Sequence, residues 1–248
     1  MTFDIVILSY AKTKEHKQIT EKCIKSLMDA KNKVKVNIIV LESYDPTIKY
    51  KDAKNVFYQQ PVFNYNNSMN EGFKYAKNDY VFFCNNDLVF YDGWADACYQ
   101  VFAMGYESLS PYCPTSHKHN KDINGNLAGT GNYLIEGYQV GFHVAGWCIG
   151  VDRYMFERIG GFNEAVRFWY SDNIYAEQLK LEGIKHALVC NAIVKHLDYG
   201  SMTLKTLSKG EKTQLTSVQR KKYDNEVRRL WNVKTKEILH GRPKDASV

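Results

Sequence analysis

The stretch Tyr80-Val81-Phe82-Phe83-Cys84-Asn85-Asn86-Asp87 decides the fold class of this chain. Five residues of strand-forming type run into three short polar ones, which predicts a buried strand over 80–84 ending sharply in a turn. Two earlier runs have the same form. Residues 4–8 lead into Ser9-Tyr10-Ala11, and residues 36–41 lead into Glu42. Continuous apolar runs of this length suit parallel strands covered on both faces. A weaker strand is expected at 56–58.

Helical signals separate these runs. Ile19, Cys23, Ile24, Leu27 and Met28 fall on one helical face, and Met69, Phe73 and Ala76 form a narrower stripe. A further helix is expected at 93–104. Such alternation predicts an α/β fold, a mostly parallel sheet flanked by helices. Downstream, a strand is expected at 148–151, then a helix over 153–159 stopped by Gly160-Gly161. Another helix at 172–182 ends at Gly183, and residues 186–194 read as strand and turn. Gly, Asn, Pro and His crowd into 110–131, which reads as a long loop.

At 248 residues the chain can form one α/β domain with a sizeable core. We expect that domain over 1–200, with a short basic helical extension over 201–248. Tyr223, Val227, Leu230 and Trp231 make an apolar stripe that would dock the extension on the body. Charge divides at the same place. From Ser201 onward twelve bases face five acids, a surplus of seven, whereas the whole chain carries +6. A basic tail on a near-neutral body suits an anionic partner, either lipid head groups or a phosphate backbone. A solvated helix face is the plainer reading of the same charges.

Composition excludes several classes. Hydrophobic residues make up 44% and charged residues 24%, as in an ordinary globular protein. No apolar run is long enough to span a bilayer. The first strand begins almost at Met1, which leaves no room for a signal peptide. Six cysteines are scattered without a C-x-x-C pair, as expected of reduced thiols. A cytoplasmic protein, at most peripheral to a membrane, is the expectation.

In open α/β sheets, ligands gather at the carboxyl ends of strands. Here those ends carry Ser9-Tyr10-Ala11, Glu42 and Asn85-Asn86-Asp87. No G-x-G-x-x-G follows the first strand and no P-loop occurs, which argues against dinucleotide and P-loop chemistry. Asp87 suits either a cation ligand or an ordinary turn acid. Asp172 suits either a general base or a helix N-cap.

Seven segments in order resemble the family 2 glycosyltransferases, which have the GT-A fold. Residues 4–10 resemble the opening strand and nucleotide loop. Val40-Leu41-Glu42-Ser43 resembles the second strand with its acidic end, and Asn67-Ser68-Met69-Asn70-Glu71-Gly72 the helix before the metal strand. Phe83-Cys84-Asn85-Asn86-Asp87 stands where the family has D-x-D. Gly161-Phe162-Asn163-Glu164 resembles the acceptor segment, Ser171-Asp172 stands in place of Glu-Asp, and His196 with Gly200-Ser201 resembles the closing H-x-x-G-S. The resemblance implies an inverting, metal-dependent sugar transfer from a nucleotide-diphosphate donor, most often a UDP-sugar. Asp172 is then the base, and Asp87 with His196 hold Mn2+ or Mg2+. Ser9, Tyr10, Ala11, Glu42, Asn67, Asn85 and Asn86 bind the donor. Trp147, Phe162, Asn163 and Ser171 bind the acceptor.

The implied acceptor is a glycan or lipid-linked saccharide. A phage-type enzyme acting on hydroxymethylated bases in DNA is the alternative, with the basic tail on the phosphate backbone. A non-catalytic nucleotide-sugar-binding module is a third reading, because Asn85 and Ser171 each stand where the family has an acid.

Overall fold

The computed structural model describes residues 1–117, 125, 131, 133–197 and 209–240, with side chains of the last segment over 216–236. Strand β1 (Thr2–Ser9) runs along the middle of the first half of the sheet. Its side chains alternate between two cores, which is why the run is apolar from Ile5 to Leu8. Phe3, Ile5 and Ile7 enter one core with Cys23, Ile24 and Leu27 of helix α1 (Lys14–Asp29). Val6 enters the other with Met69 of α2 (Tyr65–Phe73). Met28, expected on the inner face of α1, is 52% exposed, so the buried stripe is narrower than its sequence periodicity.

Strands β2 (Lys35–Glu42) and β3 (Lys54–Phe57) extend the sheet on one side of β1, and β4 (Tyr80–Cys84) lies on the other. All three joins are parallel. Side-chain caps start both helices. Thr13 accepts from the His16 N–H at 3.3 Å, and Asn64 accepts from the Asn67 N–H at 3.2 Å. Gly72 lets α2 lie against β1 and β2, since a Cβ there would strike Val6 and Leu41.

The second half is less regular. After β4 come β5 (Leu88–Phe90), α3 (Trp94–Ala103), β6 (Ser108–Tyr112), α4 (Pro114–His117) and β7 (Leu134–Glu136). Then follow β8 (Cys148–Asp152), α5 (Arg153–Arg158), α6 (Ser171–Glu182), β9 (His186–His196) and α7 (Lys209–His240). Among the described residues nine strands are ordered β3-β2-β1-β4-β8-β6-β9-β5, with β7 also on β9. Strand β8 is antiparallel to β4 and to β6, and β9 is parallel to β6. Parallel pairing therefore runs through the first four strands and returns only at the β6–β9 join.

The structure differs from the sequence expectation in three places. The expected loop over 110–131 opens with the end of β6 and with α4; 118–124, 126–130 and 132 lie outside the described residues. Strands β5 and β7 have three residues each, too short to show periodicity. Strand β9 is one 11-residue strand, continuing through the expected turn to His196.

Helix α7 packs along α6 through polar groups as well as through members of its expected stripe. Trp231 is 45% exposed, and its indole N–H reaches Glu177 Oε2 at 3.3 Å. Lys234 pairs with Glu182 at 3.1 Å, Glu226 accepts from Asn163, and Tyr223 stacks on Tyr170 with centroids 5.3 Å apart. Among the described residues no helix is long and apolar enough to cross a membrane. All six cysteines are buried free thiols.

Candidate active site

The turn after β4 is held from three sides. The Asn85 N–H donates to the Trp147 carbonyl at 2.9 Å, continuing the β4–β8 pairing past its last residue. Asn86 Nδ2 donates to Thr20 Oγ1 of α1 at 2.9 Å. The Asp87 carbonyl accepts from Leu197 N–H at 2.9 Å, beside the pair Leu88–His196 of the β5–β9 ladder. That register sets His196 Nε2 3.1 Å from Asp87 Oδ1, each side chain about one-fifth exposed (20% and 19%). Asp87 Oδ1 is itself buried, and no hydrogen bond of good geometry reaches it. The indole of Trp147 stacks on the His196 ring, with centroids 5.8 Å apart and planes at 12°.

Asn85, Trp147 and His196 border a cavity of about 300 Å³ whose wall also includes Ser171 and Asp172. Asp172 lies in the first turn of α6, whose N-cap is Tyr170, so Asp172 is not the cap. Its Oδ1 accepts from the Asn173 N–H at 2.9 Å. Enclosure by the cavity walls raises its carboxyl above the usual aspartate value, and that hydrogen bond only partly counters the effect. Tyr170 has a left-handed backbone (φ 67°), which turns the chain into α6. Ser171 Oγ is turned back to the Phe168 carbonyl at 2.8 Å.

Gly146 makes the room for this carboxylate. A Cβ at residue 146 would stand 3.1 Å from both Cβ and Oδ2 of Asp172. The Gly146 carbonyl in turn accepts from the Tyr65 hydroxyl at 3.3 Å. Tyr65, Gly146, Phe168, Trp169 and Tyr170 all line the cavity and were not among the expected site residues. Aromatic crowding in 168–170 is their only sequence signal; Gly146 has none, since its use lies in what it lacks.

The expected acceptor segment is clamped by the asparagines of α2. Asn66 Nδ2 reaches the carbonyls of Asn163 (2.7 Å) and Val166 (3.1 Å), and Asn70 exchanges hydrogen bonds with the Phe162 backbone. Asn67 donates to Glu164 Oε2 at 2.7 Å and accepts from the Tyr58 hydroxyl, so it holds that segment. Phe162 lines the cavity from within the core, at 3% exposure. The amide of Asn163 faces α7.

The nucleotide-loop residues divide between surface and interior. Ser9, Ala11 and Glu42 are buried, whereas Tyr10 is 53% exposed beside Tyr44, their rings 5.3 Å apart at 75°. Glu42 Oε1 accepts from the backbone N–H groups of Ala11 (3.1 Å) and Tyr44 (2.9 Å). Glu42 therefore shapes the loop carrying both tyrosines. Tyr10, Asn85, Asp87, Trp147, Ser171, Asp172 and His196 face the surface or the cavity; Ser9, Ala11, Glu42, Asn67, Asn86 and Asn163 are spent on internal contacts. Gly200-Ser201 lies outside the described residues.

A divalent cation fits the Asp87–His196 pair. No group of three or more His, Cys, Asp or Glu side chains gathers among the described residues. The pair offers one hard oxygen without a hydrogen bond and one imidazole nitrogen. Such a half-set leaves further positions for phosphate oxygens and water, and its mixed donors suit manganese better than magnesium.

Comparison with known proteins agrees with this architecture. No curated protein matches the sequence. Among solved structures, S. aureus TarS 1–349 aligns with 15% identity and a TM-score of 0.51, over 78% of this chain and 59% of that one. A longer TarS structure aligns with 14% identity and a TM-score of 0.54, over 78% of this chain and 36% of that one. The mannosyltransferase PcManGT of Pyrobaculum calidifontis, solved with GDP-Man and Mn2+, aligns with 12% identity and a TM-score of 0.56, over 82% and 59%. The chain thus spans less than two thirds of each of these proteins, and at such identities the likeness is one of fold. The sequence itself matches the description "Glycosyl transferase family 2" over residues 4–160. That match takes in Asp87 and Trp147 and stops before Asp172 and His196. With more than half of its length matched, this chain belongs to glycosyl transferase family 2.

Proposed function

We propose that the protein transfers a sugar from a nucleoside-diphosphate donor to an acceptor hydroxyl, with inversion and with Mn2+ or Mg2+ held by Asp87 and His196. One observation carries this reading. Asp172 and His196 line the same cavity, where Trp147 stacks on the histidine and Asp87 sits 3.1 Å behind it. Asp172 takes the proton of the acceptor hydroxyl as that oxygen attacks the sugar. Its raised carboxyl keeps it a better proton acceptor than an exposed aspartate. A bound divalent ion supplies positive charge where the departing diphosphate gathers negative charge. With Asn85 in place of an acid, the protein contributes little carboxylate, so ion and donor phosphates bind together. Tyr10 and Tyr44 offer exposed rings to the nucleoside base.

The acceptor is a glycan or lipid-linked saccharide. Trp147 and Trp169 line the cavity, and flat apolar faces of this kind suit the C–H faces of a sugar ring. A UDP-sugar is the first donor to try, and the GDP-Man held by the Pyrobaculum mannosyltransferase makes a GDP-sugar the second. Exposed Lys221, Arg228 and Lys236 on α7 favour a second reading, in which the acceptor is a hydroxymethylated base in DNA. Nucleotide release from UDP- and GDP-sugars, measured with saccharide acceptors and with hydroxymethylated duplex DNA, separates the two. Release stimulated only by DNA would overturn the saccharide reading.

A further inference from the structure

Five side chains form a continuous hydrogen-bonded line beneath the strand ends. Asn86 Nδ2 donates to Thr20 Oγ1 at 2.9 Å, and Thr20 Oγ1 lies 3.1 Å from Ser9 Oγ. Ser9 Oγ lies 2.8 Å from the Tyr50 hydroxyl, which donates to Glu42 Oε2 at 2.9 Å. Apart from Asn86, every member is at most 3% exposed.

The direction of the line follows from proton counting. A carboxylate only accepts, so the single proton of Tyr50 goes to Glu42. The Tyr50 oxygen can then only accept, which commits the Ser9 proton to it. Ser9 must accept from Thr20, and Thr20 from an amide N–H, which fixes the nitrogen of Asn86 toward it. All four hydrogen bonds therefore point the same way, toward Glu42, and each polarises the next. Burial raises the Tyr50 phenol well above its ordinary range, which keeps its proton in place.

The two ends of the line stand at the two halves of the donor site. At one end the other oxygen of Glu42 holds the Ala11 and Tyr44 N–H groups, beside the exposed tyrosines. At the other end Asn86 precedes Asp87. Helix α1 supports the same turn a second time, where Cys23 Sγ approaches the Asn85 carbonyl at 4.0 Å.

We infer that Thr20 and Tyr50 are positioning residues that couple the nucleotide loop to the turn bearing Asp87, so that base and metal sites form as one unit. The inference rests on the donor and metal reading given above. Neither hydroxyl touches substrate; both act through Asn86 and Glu42. Deleting one hydroxyl interrupts the line and leaves a buried partner unsatisfied, which water cannot readily replace.

The test uses the full chain and its Thr20→Val, Thr20→Ser and Tyr50→Phe variants. UDP and GDP binding is titrated against Mn2+ by calorimetry, with thermal unfolding recorded in parallel. Thr20→Val and Tyr50→Phe should each raise the Mn2+ midpoint about tenfold, and Thr20→Ser should restore it. The double variant should do no more than the worse single one, since one break already cuts the line. In the nucleotide-free protein, Tyr50→Phe should also shift the side-chain amide resonances of Asn86, three hydrogen bonds away. An unmoved Mn2+ midpoint in Thr20→Val, with only the unfolding temperature lowered, would overturn the coupling while leaving the donor site standing. A parent protein that binds neither nucleotide in an Mn2+-dependent way would instead overturn the functional reading, and this inference with it.

Discussion

His196 stands opposite Leu88 in the β5–β9 ladder, and that register sets its Nε2 3.1 Å from Oδ1 of Asp87. Neither residue could find the other through local structure. The approach depends on a three-residue strand and the last residue of an eleven-residue one. The pair is thus a product of sheet topology, and its use as a cation site can be tested directly.

Asp87→Asn and His196→Ala should each weaken Mn2+-dependent nucleotide binding by at least about tenfold, with little change in unfolding temperature. Both side chains are partly exposed, so neither substitution opens a core cavity. Calorimetric titration of UDP and GDP with and without Mn2+ measures this. Equal affinity of parent and variants in saturating Mn2+ would remove the two residues from the metal assignment.

Asp172→Asn should retain donor binding and lower turnover by roughly 10²- to 10⁴-fold. The sign of the pH effect follows from the raised carboxyl. Turnover in the parent should fall as pH drops through the Asp172 pKa, at a pH above that of an ordinary aspartate. Because the folded state disfavours this charge, the neutral amide should unfold at the same temperature or higher. An acid limb that persists unchanged in Asp172→Asn would assign the proton transfer to another group.

Gly146→Ala should act on chemistry more than on binding. The added methyl must displace Asp172, whose Cβ and Oδ2 stand 3.1 Å from where it would sit. Misplacing a reacting group by a fraction of an ångström lowers kcat, here by about tenfold or more, while the KM for donor stays near the parent value. Steady-state kinetics with saturating acceptor distinguishes this from a loss of donor affinity, which would contradict the packing account.

Acid should destabilise the fold through two buried histidines. Burial lowers His186 to about 4 and His117 to about 4, with His143 close to both. Each stays neutral in the folded state and gains a proton on unfolding. The stability they contribute is complete above the unfolded value near 6.5 and is lost as pH falls toward 4, on the order of 3 kcal/mol for each. Urea unfolding at pH 7 and pH 5 should show this loss, reduced in His186→Gln. A parent protein equally stable at both pH values would show that the two rings are protonated without cost.

Much of the first half of the fold was legible because strands buried on both faces must be apolar along their length. Residues 4–8, 36–41 and 80–84 therefore announced β1, β2 and β4 within a residue or two. Strands β5 and β7 left no such mark. They are placed by pairing with β9, information that no local window holds. Trp231, expected in an apolar docking stripe, meets α6 through its indole N–H on Glu177, a polar contact that its residue type does not announce.

The site was legible in part for a similar reason. Trp147, Asp172 and His196 are brought to one cavity with Asp87 against the histidine, but Ser9 and Glu42 turn inward. A polar residue at a strand end looks the same in sequence whether it meets ligand or supports the loop that does. Tyr50 and Thr20, which decide that question for Ser9 and Glu42, sit in a loop and in a helix with no motif around them. Gly146 was illegible because its contribution is empty space.

The central claim, that Asp172 serves sugar transfer from a nucleotide donor, is tested most directly by nucleotide release. Parent and Asp172→Asn proteins are compared with UDP- and GDP-sugars, Mn2+, and saccharide or hydroxymethylated-DNA acceptors. The parent should release nucleotide from one donor in an acceptor-dependent way, and the variant should bind that donor without releasing it. Equal release by parent and variant, or no release by a parent that binds the donor across every acceptor, would contradict the account.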